Sequence, residues 1–154
     1  MRRRAREFAL QMLYQLDVSR GLSEGAIEGV ALDTALGSYW QSFQAASDEE
    51  RTYAERIVRG VVQELGVLDA AISAVSHHWR LTRMEAVDRN LLRLAAFEIL
   101  RCPDIPRNVS INEAIEISKR FGAPESAAFI NGILDRLRES VEGASEEDVG
   151  AKSR

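Results

Sequence analysis

Cysteine is almost absent. Cys102 stands alone among 154 residues, which excludes an internal disulfide and any cysteine cluster for a metal. Histidine is nearly as scarce. His77 and His78 are adjacent, so on a helix they point about 100° apart, and no third ligand is evident. No apolar run approaches the roughly 18 residues of a membrane span. Glu7, Gln11 and Gln15 interrupt the segment behind the N-terminal arginines, so no signal-peptide core forms there. There is no P-loop, no Gly-x-Gly-x-x-Gly and no nucleophile elbow. The many carboxylates are spread as ordinary helix-surface charge, so no catalytic constellation, metal or cofactor is expected. These absences predict a non-enzymatic, cytosolic chain without membrane contact.

What is present is a helix-former's composition. Hydrophobic residues make up 45% and charged residues 29% of a chain long enough for one real core. Arg3–Ser19 reads as a first helix, with Ala5, Ala9, Met12, Leu13 and Leu16 on one face and Leu10 and Tyr14 nearly opposite. Residues 22–46 suggest one short helix and irregular connections. Three Ser/Thr-x-x-Glu patterns then announce helix starts: Ser47 with Glu50, Thr82 with Glu85, and Ser110 with Glu113. Gly66 predicts a break after the first of these. Pro103 and Pro106 stop the second. Gly122 is expected as a left-handed cap of the third. Pro124 fits the first turn of a last helix carrying Ile130, Ile133, Leu134, Leu137 and Val141. No stretch has the period-two pattern of a strand. The fold class is all-α, about six or seven helices in two packed subgroups of one domain over residues 1–142. Residues 143–154 form an acidic tail expected to be disordered.

The net charge of −4 conceals a local excess. Arg2, Arg3, Arg4 and Arg6 crowd the first helix with no acid among residues 2–6. Guanidinium groups pair with phosphate bidentately, and positive charge at a helix N-terminus opposes the macrodipole and favours an anion. Two readings fit: contact with RNA or DNA, or a solvated basic end. Leu10 and Tyr14 on a polar face mark either a partner surface or a face covered by a neighbouring segment. Phe129 lies about 100° off its helix's apolar stripe, which suits either a base-stacking ring or a core-edge aromatic.

Longer stretches carry a resemblance. Residues 2–14 (Arg-Arg-Arg-Ala-Arg-Glu-Phe-Ala-Leu-Gln-Met-Leu-Tyr), the run Asp88–Leu100, and Ile111-Asn-Glu-Ala-Ile-Glu-Ile117 with Phe129-Ile-Asn-Gly-Ile-Leu134 resemble the family of the bacterial transcription antitermination factor NusB. The resemblance covers most of the chain and is weak across 20–46. It implies an all-helical fold of two subgroups. It also implies binding of the boxA element of ribosomal RNA leaders, together with the small-subunit ribosomal protein that acts as NusE, within an RNA polymerase antitermination complex. By position, Arg2, Arg3, Arg4 and Arg6 match the family's arginine-rich RNA-binding motif, and Phe129 its base-contacting phenylalanine. Glu125 matches an acidic position near the RNA, and Tyr14 and Asp88 match the interface with the ribosomal protein, where Leu10 joins them. The residue before the phenylalanine, often lysine in the family, is Ala128 here, with Lys119 and Arg120 in the preceding helix as other cations. A family member can also self-associate as a homodimer through the surface that meets RNA. The same helical fold opens certain RNA cytosine methyltransferases, which continue into a cofactor-binding domain; an assembly protein that binds only protein is the other rival.

Overall fold

The computed structural model describes residues 2–152 apart from 24, 43, 44 and 78, and describes side chains as far as 144. Among the described residues there are seven α-helices and no strand. In order they are α1 (Arg2–Arg20), α2 (Gly29–Gln41), α3 (Asp48–Gln63), α4 (Leu65–Ser76), α5 (Ala86–Arg101), α6 (Arg107–Phe121) and α7 (Ser126–Lys152), with a 3-10 turn at Leu81–Arg83 before α5. The last residues of α7 belong to the stretch read from sequence as an acidic tail; side chains from 145 onward lie outside the described residues.

α5 is the shared centre. Every residue from Asn90 to Ile99 is buried, because α5 packs against α1 and α3 on behalf of one group of helices and against α4, α6 and α7 on behalf of the other. The expected stripes of α1 and α7 lie in this core: Ala5, Ala9, Met12, Leu13 and Leu16, then Ile130, Ile133, Leu134 and Leu137. The expected short helix within 22–46 is α2. It is attached by aromatic contacts, with Tyr39 and Trp40 set edge-on to Phe8 at 6.5 and 5.5 Å between ring centroids. Tyr39 OH donates to Gln11 at 2.8 Å and the Trp40 indole to Glu55 at 2.9 Å.

The helix starts divide. Ser47 caps α3 as expected: its Oγ accepts from Glu50 N–H at 3.1 Å while Glu50 accepts from Ser47 N–H at 2.9 Å. Thr82 does not cap α5. It sits in the 3-10 turn, which buries Leu81 and Met84, and α5 begins only after Glu85. Ser110 does not cap α6 either. That helix starts three residues earlier, where the Pro106 carbonyl accepts from Val109 and Ser110 N–H. Proline's fixed φ and missing N–H suit the edge of a helix, and burial of Ile105 draws the start back to it. Gly122 is extended (φ −96°, ψ −179°) rather than left-handed. Glycine is required there by space: an added Cβ would stand 2.8 Å from the Ser118 carbonyl and from Ser126. Pro124 lies in the turn before α7, outside its first turn.

Candidate RNA interface

The arginine cluster at the start of α1 separates into open and buried groups. Arg3 and Arg4 have about half of their side-chain surface exposed. Arg3 bonds Glu113 of α6 through Nε at 2.7 Å and Nη2 at 3.1 Å, which holds the Glu113 carboxyl below its ordinary range. Arg4 reaches Glu50 at 3.6 Å and lies over the Phe8 ring at 5.3 Å. Arg2 is exposed and lies over Tyr53 at 4.9 Å; among the described residues it has no ion-pair partner. Exposed pairs of this kind contribute little to stability, so a phosphate can replace the carboxylate at small cost.

Arg6 corrects the sequence expectation. It is only 2% exposed, its Nε donates to both oxygens of Glu98 at 3.0 and 3.1 Å, and its Nη2 stands 2.9 Å from Oε2. Tyr53 OH donates to the same carboxylate. Burial opposes the Arg6 charge, yet the bond and charge of Glu98 outweigh it and its pKa rises. Burial first, then the bond to Glu98, raise the Tyr53 phenol. Arg6 therefore closes the core and presents nothing to a phosphate.

The pairs Arg3–Glu113 and Glu7–Arg120 advance together along α1 and α6. Lys119, exposed and paired with Glu116 at 3.0 Å, lies on the same helix. Farther along α1, Tyr14 is exposed at the rim of a hollow of about 420 Å³ lined by Leu10, Gln11, Gln15, Val87 and Phe121. For Leu10 the second of the two sequence readings holds, a face covered by neighbouring helices. Leu10 is buried and lines this hollow, because α1 packs on α3, α5 and α6 and so buries more than one stripe. Asp88 is also buried; its Oδ1 has no hydrogen-bond partner among the described residues, and burial raises its carboxyl pKa. Glu125 is exposed just before α7. Phe129 is half-buried, edge-on to Trp79 with centroids 5.5 Å apart. Sequence reading gave Trp79 no role, since it stands between helices where no periodicity assigns a face. Its exposure is visible only in the fold. His77 is exposed and His78 lies outside the described residues; no group of metal-binding side chains occurs among the described residues. No helix among them is long and apolar enough to cross a membrane.

This geometry can be set beside known proteins. The NusB family's sequence pattern matches residues 3–139. The chain belongs to the NusB family. The transcription antitermination protein NusB of Anaeromyxobacter dehalogenans is 52% identical over 136 residues, covering 88% of this chain and 89% of the relative. The solved structure of T. maritima NusB is 37% identical, with a TM-score of 0.77 over 90% of this chain and 91% of that one. A crystal structure of antitermination factors NusB and NusE in complex with dsRNA shares the fold, with a TM-score of 0.75 and 22% identity over 90% of this chain and 96% of that one. The NusB fold thus accounts for the all-α architecture, including the two helix groups joined at α5.

Proposed function

We propose that this chain is a non-enzymatic, cytoplasmic antitermination factor. It binds boxA-type ribosomal RNA leader sequence together with the small-subunit ribosomal protein NusE, and so promotes read-through of ribosomal RNA operons. The carrying observation is the open arginine end of α1: Arg2, Arg3 and Arg4 stand exposed at a positive helix terminus, engaged by ion pairs to Glu113 and Glu50, by a bond from Arg4 to the Ala45 carbonyl, and by ring contacts. Their role is to neutralise phosphates, which gives affinity and salt dependence. Lys119 and Arg120 continue the cationic edge, Phe129 stacks on a base, and Glu125 sets a negative limit beside it. Tyr14 and the hollow that Leu10 lines receive the ribosomal protein, with the Asp88 carboxyl at the start of α5 as a further contact for it. The relative's name supports the antitermination role, and the neighbouring complex supports a surface that serves RNA and protein together.

The test is a titration of boxA-type RNA, with and without the ribosomal protein, across salt. The partner is expected to tighten binding. Replacing Arg2, Arg3 and Arg4 by Ala is expected to flatten the log–log salt slope by about 2, at roughly 0.7 per single-strand phosphate. An unchanged slope defeats the phosphate role; no RNA binding under either condition defeats the reading as a whole.

A further inference from the structure

Trp79 has no part in the assignments above. It lies between α4 and the 3-10 turn and is 56% exposed, whereas the other tryptophan, Trp40, is buried. An open indole forfeits the burial of one of the largest apolar side chains, and here it is displayed on firmly held backbone. Ser76, itself buried, grips it twice: Ser76 Oγ donates to the Trp79 carbonyl at 2.8 Å, and Trp79 N–H donates to the Ser76 carbonyl at 3.1 Å. His77 takes a left-handed φ of 49° to make this turn, a conformation that costs a non-glycine residue free energy and persists only where its surroundings impose it. Arg136 Nε donates to the Val75 carbonyl at 2.8 Å and ties the end of α4 to α7. The indole meets Phe129 of that helix nearly at right angles, 79° between planes. Arg80, next in the chain, and Arg83, at the end of the 3-10 turn, are exposed, and among the described residues neither has an ion-pair partner.

We infer that Trp79 is a second base-stacking residue for single-stranded RNA, braced by Phe129, and that Arg80 and Arg83 take phosphates of the same stretch. This rests on the RNA-binding reading and extends the track from α1 and α7 onto the link between α4 and α5. Open aromatic faces alternating with unpaired guanidinium groups are the make-up of a single-strand groove, where stacking tolerates any base and arginine follows the backbone. Rings at 79° cannot both lie flat on one base. The more exposed indole supplies the stacking face, and Phe129 fixes its tilt. A protein partner docking on an apolar patch would leave two arginines facing it without counter-charge; a polyanion supplies that charge.

Trp40 is buried, so tryptophan emission gives a direct readout of Trp79. A single-stranded boxA-type RNA is titrated, with and without the ribosomal protein, into the wild-type chain and into Trp79→Phe, Trp79→Ala and Arg80→Ala/Arg83→Ala variants. Emission of the wild type is expected to change on saturation, and that change is expected to vanish in Trp79→Phe, which reports Trp40 alone. Trp79→Ala weakens binding about fivefold or more, and Trp79→Phe restores most of it. The double arginine variant flattens the salt slope by about 1.4. Circular dichroism matching the wild type shows that the variants fold; a Trp79→Ala chain that does not is replaced by Trp79→Leu. Tight RNA binding with unchanged emission and affinities within twofold overturns the inference and leaves the arginine end of α1 in place. Loss of the ribosomal protein with RNA affinity intact assigns the surface to protein and also overturns it. No RNA binding by the wild type overturns both readings.

Discussion

Arg6→Ala separates structure from recognition within one arginine cluster. In the folded chain the Arg6 guanidinium and the Glu98 carboxylate are both shut off from water, 2.9–3.1 Å apart. Removing the arginine leaves the Glu98 carboxylate buried with only the Tyr53 hydroxyl as side-chain partner among the described residues. Breaking a buried ion pair from one side costs about 3–5 kcal/mol, against a total of roughly 5–15 kcal/mol for an ordinary domain. Arg3→Ala removes only an exposed pair with Glu113 and is expected to leave the unfolding midpoint almost unchanged. Urea unfolding followed by circular dichroism measures both. RNA titration of each folded variant then completes the comparison: Arg6→Ala retains the wild-type salt slope, and Arg3→Ala flattens it by about 0.7, one phosphate contact. Replacing Arg6 and Glu98 together by Met and Leu is expected to recover much of the lost stability, since no charge is then stranded. The reasoning is refuted if Arg6→Ala leaves the unfolding midpoint where it was and flattens the salt slope instead.

Two further outcomes follow from the packing and from a buried carboxylate. Gly60→Ala would place a Cβ 2.2 Å from the ring of buried Phe97, an overpacking expected to cost about 1–3 kcal/mol by the same urea assay; a neutral result would show that the α3–α5 contact yields more readily than its geometry implies. Asp17 accepts from Arg89 at 2.8 Å and Asn90 at 2.9 Å. Burial pushes its carboxyl up, but the Asn90 and Arg89 bonds outweigh burial and hold it below the ordinary value. A depressed folded pKa means that the unfolded chain binds the proton more readily. Its stabilisation is then complete above the unfolded value of about 3.9 and is lost as pH falls through the folded one. Asp17→Asn should make the decline in the urea midpoint between about pH 5 and 2 shallower, and an unaltered slope would count against this assignment.

The stripes of α1 and α7, the α2 helix and the Ser47 cap were legible because each is written in local spacing. Arg6 was not. Its partner is Glu98, distant in sequence and adjacent only after α1 lies on α5, so nothing near Arg6 distinguishes it from Arg3 or Arg4. Leu10 was left open between two readings for a related reason: periodicity identifies one apolar stripe, whereas α1 is enclosed by several neighbours. The patterns at Thr82 and Ser110 carry the same letters as that at Ser47. They lose to tertiary demands, the burial of Leu81 and Met84 in one case and of Ile105 beside Pro106 in the other. Trp79 shows the converse, since a displayed aromatic in a link looks like any other until its backbone is seen to be clamped.

The unbroken course of α1 sets a fixed phase between two ends of one rod. Arg3 and Tyr14 are separated by eleven steps of an uninterrupted helix, about 16 Å at 1.5 Å per step. Inserting a single alanine midway would swing the two sites about 100° out of alignment, and the rotation that carries Tyr14 would also turn Met12, Leu13 and Leu16 out of the core. The packing that buries this helix therefore also dictates the spacing and angle at which nucleic acid and protein meet the chain.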